Sequence, residues 1–131
     1  MNFTTQELIA HAKSHIVEWD AVTASRELAS RRNIVLLDVR EPAEFSDGCI
    51  GNACNVPRGM LEFKVDPTYP ACDKALLDRN LEVLVYCKTG GRSALAAHTL
   101  KQLGYGLVIS LAGGIESWKE NGFNISEPQA V

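Results

Sequence analysis

A chain of 131 residues with a net charge of −3 at pH 7 is one domain's worth of sequence. With 46% hydrophobic and 22% charged residues it can bury a core without disulfide or metal, and its balance is neither that of a disordered chain nor that of a basic nucleic-acid binder. Cys49, Cys54, Cys72 and Cys87 form no paired framework, the N-terminus has no basic signal-type segment, and the longest uncharged stretch, residues 102–115, is too short to span a bilayer, so the expectation is a cytoplasmic protein with free thiols and no membrane or nucleic-acid partner.

Thr4-x-x-Glu7 reads as a capping box opening a helix through about Lys13, an N-terminal extension over residues 1–15. A short strand is expected near residues 16–19, and helical spacing returns over residues 22–32. Ile34-Val35-Leu36-Leu37-Asp38-Val39 is a continuous apolar run ending in polar residues, which suits a strand buried on both faces. Pro42 then sits where a helix's first turn tolerates proline, and residues 53–56 suggest a short strand closed by Pro57.

Residues 58–70 are irregular, and Asp73 can cap a helix through Leu77. Glu82-Val83-Leu84-Val85-Tyr86 is a second buried strand and runs directly into Cys87-Lys88-Thr89-Gly90-Gly91-Arg92-Ser93. A helix over residues 92–103 follows, stopped by Gly104. Residues 107–111 form a third strong strand, then Gly113-Gly114, then a helix to about Asn121 stopped by Gly122. Residues 126–131 read as a frayed tail. Alternating strands and helices imply an α/β fold, a mostly parallel sheet of about five strands flanked by helices on both faces over residues 16–125. Ligands in such folds bind beyond the C-terminal strand ends, where Asp38-Val39-Arg40, residues 87–93 and Gly113-Gly114 fall.

Cys87 centres the chemistry. Gly90 and Gly91 let the backbone turn sharply, and a tight strand-to-helix loop points N–H groups into one concavity at a helix N-terminus. Lys88 and Arg92 add charge if they face inward, and a cysteine so placed favours the thiolate. An isolated cysteine is more often a small buried hydrophobe, but the Gly-Gly pair and the basic flanks reverse that reading. Cys87-x4-Arg92 is one residue shorter than the Cys-x5-Arg loop of protein tyrosine phosphatases, and a smaller ring of amides suits a single sulfur atom better than a phosphoryl group.

The chain resembles single-domain rhodanese-like sulfurtransferases. The resemblance rests on Leu37-Asp38-Val39-Arg40-Glu41-Pro42-Ala43-Glu44-Phe45, residues 47–57, residues 87–93 and Leu111-Ala112-Gly113-Gly114-Ile115-Glu116-Ser117-Trp118. Residues 56–64 are similar to a segment of a bacterial subgroup. The resemblance implies that Cys87 attacks the sulfane sulfur of thiosulfate, a polysulfide or a persulfide. A Cys87 persulfide held by Lys88, Thr89, Gly90, Gly91, Arg92 and Ser93 then passes sulfur to cyanide, a thiol or a protein acceptor. It implies no cofactor and no metal. Where the family reads Gly-His-Ile-Pro-Gly-Ala, this chain has Gly48-Cys49-Ile50-Gly51-Asn52-Ala53, with Asn52 able to take a positive φ in the glycine position. The alternatives are a non-enzymatic sulfur carrier or partner-binding module, and a thiol-based phosphatase or arsenate reductase.

Other residues read more plainly. Cys54 is expected in the core, Cys49 on a loop with a resolving-thiol role as a minor reading, and Cys72 incidental. Asp38 and Arg40 are supporting residues whose simplest role is an ion pair anchoring a loop. His11 and His15 are expected on the surface, His98 packed or solvated, Trp118 and Phe45 in the core, and Arg58 and Lys64 near the site entrance.

Overall fold

The computed structural model describes residues 2–31 and 33–128. Among the described residues, six α-helices surround a five-stranded sheet. Helix α1 (Thr5–Lys13) precedes β1 (Val17–Trp19), α2 (Ala21–Ser30), β2 (Ile34–Asp38), α3 (Pro42–Ser46) and β3 (Cys54–Asn55). Helix α4 (Leu61–Lys64), β4 (Glu82–Tyr86), α5 (Gly91–Gln102), β5 (Leu107–Leu111) and α6 (Gly114–Glu120) complete the order. The sheet runs β1-β5-β4-β2-β3 with every pair parallel, so all five C-terminal strand ends lie along one edge.

The apolar runs of β2 and β4 are buried on both faces, as the sequence predicts. Alternate residues feed two cores. Leu37, Val83, Val85 and Cys87 face Ala96, Ala97 and Leu100 of α5, with Leu61, Val65 and Tyr105 closing that side. Leu36, Leu84, Tyr86, Ile109 and Leu111 face Ala21 and Ala24 of α2 and Ile115 and Trp118 of α6.

The capping box at Thr4 and Glu7 is formed, and Asp20, whose carboxylate accepts from the Thr23 amide at 2.8 Å, caps α2. Arg32, at the expected end of α2, lies outside the described residues. The irregular segment holds what the sequence did not reveal: a 3-10 turn at Arg58–Met60 running into α4. The helix expected after Asp73 is only a 3-10 turn, Lys74–Leu76, because Asp73 caps it through Ala75 and no apolar repeat extends it. Arg79 knits this loop together, donating to the carbonyls of Val65, Leu77 and Leu103 and to the Tyr105 hydroxyl.

Some expectations are corrected. Cys49, read as a loop thiol, is 1% exposed, while Cys54, read as core, is half-buried against the edge of the α5-side core. Cys49 is buried because its backbone pairs antiparallel with Ser126, 2.8 Å in both directions, so the tail's first residue is anchored rather than frayed. Residues 129–131 of that tail lie outside the described residues. The positive φ angles in the β2–β3 connection fall on Gly48 (+139°) and Gly51 (+53°), so Asn52 does not use the tolerance read for it. Phe45 is half-buried rather than fully in the core.

Candidate active site

Strand β4 delivers Cys87 one residue past its end, and α5 begins four residues later. The chain reverses through Gly90, whose φ of +106° is open to glycine at little cost. This turn brings the Gly90 amide to 3.1 Å and the Ser93 amide to 3.4 Å from the Cys87 sulfur. Of the loop amides expected to cradle sulfur, these two reach Sγ. The Cys87 thiol also donates to the Ser93 hydroxyl at 3.5 Å. That hydroxyl lies 2.9 Å from the Ser110 hydroxyl and donates to the Gly90 carbonyl at 3.2 Å. Cys87, Ser93 and Ser110 are each at most 1% exposed.

The loop is fastened from behind by the start of α6. The Ile115 amide donates to the Cys87 carbonyl at 2.9 Å and the Glu116 amide to the Lys88 carbonyl at 3.2 Å. Two of the N–H groups that a helix N-terminus leaves without intrahelical partners are thereby satisfied by the loop. This close approach explains the Gly113-Gly114 pair. A Cβ on Gly114 (φ +62°) would lie 2.4 Å from the Lys88 oxygen and 2.6 Å from the Cys87 oxygen.

Lys88 and Arg92 do not face the sulfur as bare charges. Lys88 is exposed, with Nζ 3.7 Å from Glu116. Arg92 forms a two-pronged pair with Glu44, at 2.7 and 2.9 Å. Glu44 also accepts from the Glu41 amide at 3.0 Å. The Arg92 bonds and then this amide hold the Glu44 carboxyl down at about 2. The fixed electrostatics around Cys87 are therefore mainly those of oriented amides and a helix N-terminus, with each cation matched by a carboxylate. Thr89 is exposed at the rim, and Gly91 packs beneath α1, its position 3.2 Å from Ile9 Cδ1 if a Cβ were added.

Asp38 and Arg40 lie at the end of the neighbouring strand. Their pair is buried, with Nη2 to Oδ2 at 2.7 Å and two Nε contacts of 3.0 and 3.1 Å. Arg40 also donates to the Gly48 carbonyl at 2.7 Å, and the Asp38 carboxylate accepts from the Arg40 amide. This is loop anchoring, since every polar atom named is spent within the connection. Arg58 donates to Glu62 and Thr99, and the amide of Arg58 joins the Val39 carbonyl, so it too is used structurally.

Sequence reasoning missed Glu44, Glu116 and Ser110. Nothing marks Glu44 beyond its place in a helix's first turn. Ser110 has a signal: it is a polar residue inside the otherwise apolar run of β5. A surface cleft of about 750 Å³ between α2 and α6, lined by Leu28, Ile34 and Trp118 among others, contains none of the loop residues. The site is defined by the two amides aimed at Cys87 Sγ, not by cavity size.

Comparison with known proteins places this geometry in context. Residues 21–121 match the family model for the rhodanese-like domain. A sulfurtransferase of Allochromatium vinosum is 32% identical over 112 residues, covering 86% of this chain and 96% of that protein. A thiosulfate sulfurtransferase of Coxiella burnetii is 34% identical, covering 81% and 84%. Among solved structures, a protein of unknown function from Rhodopseudomonas palustris, described as a possible tyrosine phosphatase, superposes with a TM-score of 0.88 at 30% identity and covers 96% of both chains. The polysulfide-sulfur transferase homodimer of Wolinella succinogenes superposes at 0.71 with 31% identity, covering 93% and 86%.

Proposed function

The chain belongs to the rhodanese-like sulfurtransferase family, and from that premise we propose that it moves sulfane sulfur through a persulfide on Cys87. The carrying observation is the pair of amides, Gly90 and Ser93, aimed at the Cys87 sulfur from the start of α5. Donors pointed at sulfur stabilise negative charge there, whether on the thiolate or on a persulfide one atom longer.

The proposed cycle has two displacements. The Cys87 thiolate attacks the terminal sulfur of thiosulfate; the S–S bond of the donor breaks and its electron pair leaves with sulfite. The new Cys87 S–S bond carries the anionic outer sulfur into the loop. A thiophilic acceptor, cyanide or a thiol, then attacks that outer sulfur, and Cys87 leaves as thiolate. Charge and electrons balance in each step, and no cofactor takes part. A polysulfide or a persulfide would enter by the same first step with a different leaving group.

Access favours sulfur over phosphorus. Cys87 is 1% exposed, and the loop closes in four residues between cysteine and arginine. A terminal sulfur reaches a recessed nucleophile as a single atom. A phosphomonoester must bring three equatorial oxygens with it. The likeness to a possible tyrosine phosphatase gives the second arm of the test.

The experiment is intact mass after exposure to thiosulfate, followed by turnover with cyanide. The expected result is a gain of one sulfur atom on the wild type, none on Cys87→Ser, and thiocyanate formation by the wild type alone. Sulfur addition or turnover by folded Cys87→Ser, or hydrolysis of an aryl phosphate in place of sulfur transfer, would overturn the reading. Wild type that is charged with sulfur but does not release it to cyanide or small thiols would identify a carrier serving a protein acceptor.

A further inference from the structure

The chain has three histidines, and the fold brings all of them together. His11 lies on α1, His15 follows its C-terminal cap, and His98 lies on α5, more than 80 positions away in sequence. One nitrogen from each ring can be chosen so that the three lie within 4.8 Å of one another. Ring centroids are 4.6 Å apart for His11–His15, 4.9 Å for His15–His98 and 5.7 Å for His11–His98. The group stands apart from the Cys87 loop and takes no part in the chemistry proposed for it.

We propose that His11, His15 and His98 form a binding site for a divalent late transition-metal ion, zinc being the class representative, that fastens α1 to α5. Three imidazoles with a fourth position left for water match the ligand set of open zinc sites. Imidazole also selects against magnesium and calcium, which take oxygen ligands. A tetrahedral ion with metal–nitrogen bonds of about 2.0–2.1 Å holds its nitrogens about 3.3 Å apart, so the nitrogens must close by up to about 1.5 Å. His11 and His15 are exposed side chains with the freedom to make that movement.

The surroundings prepare the ligands. His15 Nδ1 lies 2.9 Å from the His11 carbonyl and 3.0 Å from the Ser14 hydroxyl, which itself donates to that carbonyl. Nδ1 is thus the protonated nitrogen of His15, and Nε2 keeps its lone pair. A backbone carbonyl orienting the non-ligating nitrogen is the usual support of a metal-bound histidine. Of the cations near the group, Lys101 donates to the His15 carbonyl at 2.9 Å, and Arg58 pairs with Glu62. The spacing of His11 and His15 is i,i+4, and the Ser14 and His15 amides continue the helical turn to Ala10 and Ala12, so both rings share one side.

The test is calorimetric titration of zinc into the tag-free full-length chain, wild type and Cys87→Ser, the latter removing capture by the loop thiol. Histidine ring NMR spectra are recorded alongside. The expected result is one saturating equivalent in both proteins, with all three ring signals shifting together. His11→Gln and His98→Gln should each weaken binding by at least about tenfold. Melting temperature should rise with zinc only when the three histidines are intact. The wild-type ring spectrum decides the matter even if a variant folds poorly. The proposal is overturned by the absence of saturable binding, by binding that survives both histidine substitutions, by loss of binding in Cys87→Ser, or by a His98 signal that stays still while those of His11 and His15 move.

Discussion

Glu44 grips the Arg92 guanidinium end-on, Nη1 to Oε1 at 2.7 Å and Nη2 to Oε2 at 2.9 Å, and so ties α3 to the first turn of α5. Parallel bonds of this kind orient a guanidinium as well as neutralise it. Arg92 is therefore held at the mouth of the loop with its charge already matched. Glu44→Gln should release an unmatched positive charge there. We expect the KM for thiosulfate to fall by roughly threefold to tenfold at low ionic strength, with the gain disappearing as salt screens it. A neutral trisulfide donor should be unaffected. Steady-state kinetics with both donors checks this, and a parallel change for the two would mean that Glu44 acts on loop geometry rather than on charge.

The same pair should add stability that is lost toward acid pH. The folded-state Glu44 carboxyl lies at about 2, below its ordinary value of 4.5. A depressed carboxyl adds stability above the unfolded value and loses it as pH falls through the folded one. The stability difference between wild type and Glu44→Gln should be constant above pH 5 and shrink between about 4.5 and 2. Urea unfolding at a series of pH values measures it. A difference that does not change across that window would show that the pair does not set the acid limit.

Gly114 gives the sharpest structural test. Its left-handed φ, and the Lys88 and Cys87 carbonyl oxygens that an added Cβ would strike, leave no room for a side chain. Gly114→Ala should cost roughly 2–4 kcal/mol and depress sulfur transfer, because the carbonyls it would strike belong to the loop. Gly122 is the control. It has φ +79° with nothing within 4 Å of its missing Cβ, so Gly122→Ala should cost only the backbone term, about 1–2 kcal/mol, and leave activity intact. Equal losses from the two would place the whole effect in backbone strain.

The remaining thiols should be dispensable. Burial raises the Cys49 thiol above its ordinary range and takes Cys54 to about 11, so both stay protonated and poorly nucleophilic at neutral pH. The Cys49→Ala, Cys54→Ala, Cys72→Ser protein should keep most of its sulfur transfer, at a stability cost of roughly 1–3 kcal/mol, mostly from Cys49. Loss of turnover in the folded triple variant would bring a second thiol into the cycle.

How far the sequence foretold this structure follows from how local each signal is. Strands β4 and β5 fall on the residues their apolar runs mark, because strands buried on both faces need no partner to be recognised. The Cys87 loop was legible for the same reason: its strand, glycines and helix are contiguous. What stayed hidden depends on residues distant in sequence. Glu44 reaches Arg92 across 48 positions, and Cys49 is buried by its pairing with Ser126. Lys88, which would add charge at the sulfur only if it faced inward, is exposed with its Nζ 3.7 Å from Glu116 in the first turn of α6. Helix α4 was missed because four residues are too few to show a period.

Ser93 joins local and distant parts of the site, and it carries the last prediction. Its amide is fixed by α5, but its hydroxyl is oriented by Ser110 from β5, 17 positions away. With the thiol protonated, the hydroxyl accepts from sulfur. Once the proton is gone, rotation of the same O–H presents a donor to the anion. Ser93→Ala removes that donor and leaves the amide in place. Losing one preorganised donor to an oxyanion costs about 10²–10³ in rate. Sulfur is larger and its charge more diffuse, and the contact here is 3.5 Å, so we expect kcat/KM to fall by only about tenfold. Ser110→Ala should fall less, because it removes only a neighbour of the Ser93 hydroxyl and leaves the O–H free to turn toward the sulfur. Single-turnover charging by thiosulfate separates this from a folding effect. Ser93→Ala should slow formation of the Cys87 persulfide while the final extent of charging reaches one sulfur per chain. Charging at the wild-type rate would mean that the two amides alone stabilise the sulfur anion.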